Sequence, residues 1–364
     1  MGLRGTDSFE KYSAYPNLIL FDQSVYLENA TLACYPALLS PPNIRISRAR
    51  STARLARWLC LLLLAWTTPA HPQAAADSSG LRPARLALLG GTGLTIHYLG
   101  FKYFDRAWYQ GQKLDHIRWI RDWGGDTYLN MDKGGHFMSG VFMAQTLTEA
   151  YGWGGVSPRL AALAGTLTSW ALLLQVEMRD AYFDQWGFSI PDFTANTIGA
   201  TVPLIHTLWP ASRAFRFKFG YFPSTLYLDR EERAREEELA GRPVRPYTEH
   251  AIDDYEGMTI WMALSIDQFL SGRAEEVWPD FLGVALGYGA TGLHGSNAKS
   301  KGRFKKFKER PDARPELLVA LDWDPRFLPG EGRVWRYFVE QLNWLHLPAP
   351  ALRIYPERRF YLLF

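Results

Sequence analysis

From about residue 83 to 210, apolar positions recur at helical spacing and charge is scarce. Beyond 210, short apolar runs alternate with charged stretches and with breaks at glycine or proline. The first pattern predicts four helices, over 86–101, 137–151, 158–176 and 192–208. Ser157 ahead of Pro158 reads as an N-cap with proline at the first helical position. Ser189-Ile190-Pro191-Asp192 has the Ser-x-x-Asp spacing of a capping box, and the glycines of 152–155 predict a turn between helices. The run 160–176 carries no charge and falls just short of the roughly 20 residues needed to cross a bilayer. Its Ala161, Ala162, Ala164, Gly165 and Ser169 are the small residues that let helices approach closely in lipid. A buried core helix of a soluble bundle would show the same pattern. The reading adopted here is of helices embedded in, or apposed to, a membrane.

The second pattern predicts strands over 213–219, 258–266, 281–288 and 317–323, with a closing strand over 352–364. An amphipathic helix is expected over 335–345, ended by Pro348-Ala349-Pro350. The segment 229–246 is dense in charge and reads as a solvated helix or linker. The basic run 299–310 reads as a surface loop that could meet anionic lipid head groups. The chain ends Phe360-Tyr361-Leu362-Leu363-Phe364, compatible with the last strand of an outer-membrane barrel, but five or six strands are too few for a closed barrel of eight. The expected fold is therefore α+β: a membrane-associated helical bundle of about four apolar helices, followed by a C-terminal antiparallel β-rich region packed on it.

Composition narrows the function classes. The chain has 364 residues, with 40 Lys+Arg against 37 Asp+Glu, and only two cysteines, Cys34 and Cys60. That count excludes a disulfide scaffold or a Cys-rich zinc module. Residues 45–76 read as a signal peptide: five arginines, the short apolar run 58–66, then small residues up to Ala76. Residues 1–44 ahead of it read as an extension arising from a mis-called start codon. Residues 1–76 hold seven basic and four acidic residues, so 33 of each remain in the rest of the chain. A neutral exported chain offers no bulk charge for nucleic acid, which is not an expected partner; membrane lipid is. The expected division is 77–210 for the helical domain and 211–364 for the β-rich region.

A small polar set stands out against the apolar helices. Asp132 and His136 are four residues apart on one helix face, with Lys133 between them. Glu177, Asp180 and Asp184 follow at spacings of three and four, and Asp192 and Asn196 open the next helix ahead of Gly199, where a close approach is possible. One histidine with several carboxylates suits a hard or borderline divalent metal, for which Asp132, His136, Glu177, Asp180 and Asp184 are the candidate ligands. Without metal, His136, Asp180 and Asp192 are candidates for acid–base work. Lys133, Ser189, Asn196 and Gly199 are positioning candidates. The structural alternative is a network of caps and ion pairs that ties helix ends together.

The order Asp132-Lys133-x-x-His136-Phe137, Glu177-x-x-Asp180, then Ser189-x-Pro191-Asp192-x-x-Ala195-Asn196-x-x-Gly199 resembles the YfiM-like family of predicted periplasmic or envelope lipoproteins of unknown function. It is also similar to the wider VanZ-like membrane family, from which it departs in having acidic residues where that family more often shows Glu followed by Gln. No cysteine stands at the cleavage site of 70–76, unlike the lipoprotein members. The resemblance covers about 80–210. It implies a helical core and an exported, periplasm-facing location, taken here as outer-membrane-associated, and implies no established catalysis. The function expected is structural or binding, with a metal-dependent or acid–base hydrolase of a lipid-linked or cell-wall substrate as the alternative.

Overall fold

The computed structural model describes residues 80–109, 111–125, 128–241, 246–296 and 312–364, all within one of the chain's two units, Cys60–Phe364. The expected extension 1–44, the signal segment 45–76 and the basic run 299–310 lie outside the described residues. Four long helices come first: α1 (Pro83–Ala107), α2 (Met131–Trp153), α3 (Pro158–Asp180) and α4 (Ile190–Leu208). Each contains its sequence-predicted core and runs further at one or both ends. Two short parallel strands, β1 (Trp119–Ile120) and β2 (Phe188–Ser189), pair the segments that precede α2 and α4. Ser189 caps α4, its Oγ accepting from the Asp192 N–H at 3.3 Å, whereas Ser157 makes no side-chain bond at the start of α3. Pro158 alone marks that start, since a missing N–H costs nothing at the first position.

Helices α2, α3 and α4 pack against each other through small residues. Ala144, Ala161, Ala162 and Ala200 are buried, Thr166 Oγ1 donates to Ala200 O at 3.0 Å, and Ser169 is fully enclosed. The closest approach is between α2 and α4. A Cβ on Gly140 would lie 2.5 Å from Asn196 O, and one on Gly199 would lie 2.0 Å from Phe137 O, so the two backbones touch where only glycine fits. Helix α1 is tied on at its ends, by Arg82 N–H to Gly154 O and by an Arg179–Asp105 ion pair, and its middle is open, with Leu94 73% exposed. Among the described residues one helix, α3, is long and apolar enough to cross a membrane, and 39% of its apolar window is buried. Four helices are present, but the expectation of four membrane-grade apolar helices is thereby reduced to one that meets that measure.

The C-terminal part is a six-stranded antiparallel sheet in simple meander order: β3 (Phe215–Tyr221), β4 (Met258–Leu264), β5 (Leu282–Thr291), β6 (Arg314–Trp323), β7 (Ala351–Tyr355) and β8 (Arg359–Tyr361). The single closing strand expected over 352–364 is instead the pair β7–β8. The charged segment forms α6 (Arg230–Leu239), after the single turn α5 (Thr225–Leu228); α7 (Arg273–Val277) and the amphipathic α8 (Arg333–Leu342) complete the helices of the described residues.

The two faces of this sheet are unlike. One face gathers Trp261, Ala263, Ala285, Leu318, Ala320 and Ala351 around Tyr361 and Phe364. Trp261 is fully buried because Gly287 opposite it has no Cβ to meet its ring; a Cβ there would come within 2.7 Å. His346 stacks on that indole at 3.9 Å between centroids, and burial beside Lys218 pushes its pKa down to about 4. Phe364 packs edge-on to Trp261 and Tyr361, so the terminal aromatic serves here as core. The same face holds ion pairs: Lys218 with Asp322 at 2.8 Å, both 0% exposed, Arg216 with Asp324, and Arg353 with Glu316. The opposite face is apolar. At β3 and β4 it meets the helices, with Phe137 edge-on to Phe217 at 4.7 Å and Tyr128, Leu129 and Met131 in one cluster with Met258, Ala290 and Leu293.

Candidate functional site

The polar residues singled out from sequence converge where α2 begins, α3 ends and α4 begins. Asp132 and Lys133 follow Met131 in the first turn of α2, and Asn130 just ahead of the helix takes a left-handed conformation (φ 64°). Lys133 Nζ sits among three carboxylates, donating to Asp132 Oδ2 at 2.9 Å and Asp122 Oδ2 at 3.1 Å, with Asp192 Oδ1 at 3.5 Å. One helical turn on, His136 Nδ1 donates to Asn196 Oδ1 at 3.2 Å, and the Asn196 amide nitrogen donates to Glu177 Oε1 at 3.2 Å. Glu177 Oε2 accepts the Ser189 N–H at 3.3 Å, and His136 Nε2 faces Asp192 Oδ2 at 3.9 Å. The capping box is thus half-built as expected. Ser189 serves Asp192, but the return bond to the Ser189 N–H comes from Glu177 on another helix.

Asp180 and Asp184 do not join this group. Helix α3 ends at Asp180, so the spacing of seven from Glu177 to Asp184 no longer marks one face. Asp180 accepts from the Tyr109 hydroxyl, and Asp184 accepts the Gln112 N–H at 3.1 Å in the following loop. Among the described residues no group of three or more His, Cys, Asp or Glu side chains is arranged to hold a metal ion. Geometry explains this: an ammonium fills the space between the carboxylates of Asp122, Asp132 and Asp192 that a cation would need. Asp122 was not foreseen, because it precedes α2 within the charged and aromatic segment 118–123, which has no periodicity to place it. Tyr109 was missed for the same reason.

The electrostatics follow from crowding acids in a poorly solvated place. Burial would lower the Lys133 pKa, but its three carboxylates outweigh that and raise it, so the ammonium stays charged. Burial also works against a charged His136, and Asp192, Glu177 and Asp132 together with the Asn196 bond overcome it, leaving the imidazole pKa raised. Asp132 is raised by burial and by Asp192, against the pull of Lys133. Glu177 is pushed up to about 7, chiefly by burial and further by Asp192 and Asp180, with His136 and the Ser189 N–H opposing.

A carboxyl that holds its proton more tightly when folded stabilises the fold below its unfolded value. That contribution is lost as pH rises through the folded value. For Glu177 the window runs from about 4.5 to about 7. Its linkage contribution is on the order of 3 kcal/mol at most. The wild-type fold is therefore expected to weaken from pH 5 to pH 8. Glu177→Gln, which keeps an acceptor for Asn196 and Ser189, should flatten that decline up to about pH 7 and leave the part above it that His136 governs. Denaturant midpoints across pH measure this; equal slopes in the two proteins would show that Glu177 is ionised throughout.

No curated protein and no solved structure matches the chain. Residues 121–207, which carry Asp122, Lys133, His136, Glu177, Asp192 and Asn196, match the family model described as predicted periplasmic lipoprotein (DUF2279), a match that supports an exported, envelope-associated protein of unknown function.

Proposed function

We propose that this is a structural or binding protein of the bacterial cell envelope, associated with membrane lipid through its helices, in which the polar cluster is a lock. The observation that carries this reading is the closure of the network on itself. Lys133 is spent on three carboxylates, and His136, Asn196, Glu177 and the Ser189 N–H form one chain of bonds across three helix starts and ends. Buried groups engaged in this way specify one arrangement of helices rather than wait for a substrate, with Asp192 Oδ1 held by its ion pair to Lys133 and by no hydrogen bond. Large exposed side chains on α1, α3 and α4, among them Leu88, Leu94, Leu163, Leu167, Ile198 and Ile205, support the lipid contact. An outer-membrane location belongs to this proposal, as do the helical domain 77–210 and the β-rich region 211–364.

The hydrolytic reading assigns His136 as base or ligand, with Asp132, Glu177, Asp180, Asp184 and Asp192 as acids or ligands. Only the raised Glu177 carboxyl beside an imidazole favours it. The two readings separate in the variants His136→Leu and Asp192→Asn. A lock predicts a lower unfolding temperature, by about 2–4 °C for each kcal/mol removed, with detergent sensitivity of the cells rising in step. Unchanged unfolding with raised detergent sensitivity would overturn it, as would near-stoichiometric metal in the purified parent that His136→Leu abolishes.

A further inference from the structure

All four long helices have an end at the same place. Helices α1 and α3 stop there, at Ala107 and Asp180, and α2 and α4 start there, at Met131 and Ile190. The segments that join them run side by side across this end. The Leu114 N–H donates to Tyr182 O at 2.7 Å, the Arg118 N–H to Ala181 O at 2.9 Å and the Phe188 N–H to Arg118 O at 2.8 Å, and β1 pairs with β2. Five cations are exposed here: Lys102 and Arg106 near the end of α1, then Lys113, Arg118 and Arg121. Among the described residues none of the five is in an ion pair.

The acids of this end are mostly taken up within it. Asp105 pairs with Arg179, and Asp122, Asp132 and Asp192 surround Lys133. Asp180 accepts from the Tyr109 hydroxyl and Asp253 from the Trp108 indole. Two acids are exposed: Asp115, paired with His116, and Asp184, which holds the Gln112 N–H. Five exposed cations against these two acids leave the end electropositive. Its aromatic residues are open as well, with Trp119 58% and Trp123 59% exposed. An indole has an apolar body and a polar N–H tip, which suits the boundary between acyl chains and head groups. The helix flanks supply the apolar side of that boundary. No Lys, Arg, Asp or Glu falls between Arg85 and Lys102 on α1, or between Arg159 and Glu177 on α3. Leu94, Leu99, Leu163 and Leu167 are exposed within those stretches, so the apolar flank stops where the basic end begins.

From this we propose that this end of the helical domain docks on the head groups of an anionic lipid layer, with Lys113, Arg118 and Arg121 meeting phosphate and Trp119 and Trp123 seated at the boundary with the acyl chains. The excess of positive charge selects an anionic partner, and open indoles beside an apolar flank select a lipid layer over a soluble polyanion. The proposal rests on the lipid contact argued above, and adds to it the class of lipid and the end of the domain that meets the head groups.

The test uses the whole chain with Cys34 and Cys60 replaced by serine. A fluorophore is carried on one new cysteine at a time: Gln112→Cys, exposed beside Lys113, reports on the basic end, Leu94→Cys and Leu167→Cys on the helix flanks, and Glu238→Cys on α6 is the control. Vesicles of phosphatidylglycerol and phosphatidylcholine with a quencher on the head group should quench Gln112→Cys by about twofold or more, leave Glu238→Cys unchanged, and lose the effect when phosphatidylglycerol is omitted. Lys113→Gln, Arg118→Gln and Arg121→Gln together should weaken vesicle binding by about tenfold or more, whereas Arg159→Gln, at the far end of α3, should change it by less than about twofold. Quenching of Leu94→Cys and Leu167→Cys by brominated acyl chains, with none at Gln112→Cys from the head groups, would overturn this proposal and leave the helix–lipid contact standing. Quenching at none of the three would overturn both. Equal quenching of Gln112→Cys without phosphatidylglycerol would overturn the anionic assignment, and an equal loss of binding from Arg159→Gln would overturn the assignment to this end.

Discussion

Lys133→Met is expected to lower the stability of the fold by about 3–5 kcal/mol, the range for removing one partner from a buried charge cluster. Nζ is the cation between Asp132 at 2.9 Å, Asp122 at 3.1 Å and Asp192 at 3.5 Å, and each of these side chains is no more than 15% exposed. Methionine keeps the length and the apolar stem but leaves three acids facing one another. They can relieve the repulsion only by taking up protons, and Asp132 is already raised by burial and by Asp192. The loss should therefore be largest near neutral pH and shrink as pH falls below about 5, where the acids recover protons. Denaturant unfolding at pH 7.5 and pH 4.5 measures both. A loss below about 1 kcal/mol, equal at the two pH values, would mean that solvent already screens the cluster, as at exposed ion pairs, and would remove the basis for the lock.

Gly199→Ala is expected to be comparably damaging for a different reason. The added methyl would lie 2.0 Å from Phe137 O and 3.1 Å from Phe137 Cα, so what must move is helix backbone rather than a flexible side chain. Overpacking ordinarily costs about 1–3 kcal/mol, and a clash between two backbones belongs at or above the top of that range. Separating α2 from α4 also stretches the His136–Asn196 bond, since those two residues lie on the same two helices as the contact. Gly140→Ala, meeting Asn196 O at 2.5 Å, should behave alike. Gly152→Ala serves as the control. It lies within α2 with nothing inside 4 Å of its Cβ position, and there the substitution should be neutral or stabilise by up to about 1 kcal/mol. A mild Gly199→Ala would show that the two helices can slide apart without loss.

Much of the cluster was legible because its members lie on helices, where spacing translates directly into direction. Asp132, Lys133 and His136 on α2 and Asp192, Asn196 and Gly199 on α4 were placed by period alone, and the structure brings them together. The grouping of Asp180 and Asp184 with Glu177 was not legible, because it assumed that α3 continues. The helix stops at Asp180, and the two acids turn to Tyr109 and to the Gln112 N–H. Asp122 and the Glu177-to-Ser189 bond came from loop segments and from contacts between helices, for which local pattern carries no signal.

The sequence by itself determined the four long helices, the positions of four of the six strands in the C-terminal sheet and the polar residues at the helix ends, since local periodicity and punctuation set these. Tertiary structure decided which acid meets which cation, that an ammonium occupies the space between the carboxylates, and which face of the sheet is buried. Alternation along a strand says that its two faces differ; only pairing and packing say which of them is inside. Here the face that carries the Trp261 cluster and the Lys218–Asp322 pair is inside, and the row from Met262 to Phe360 is exposed.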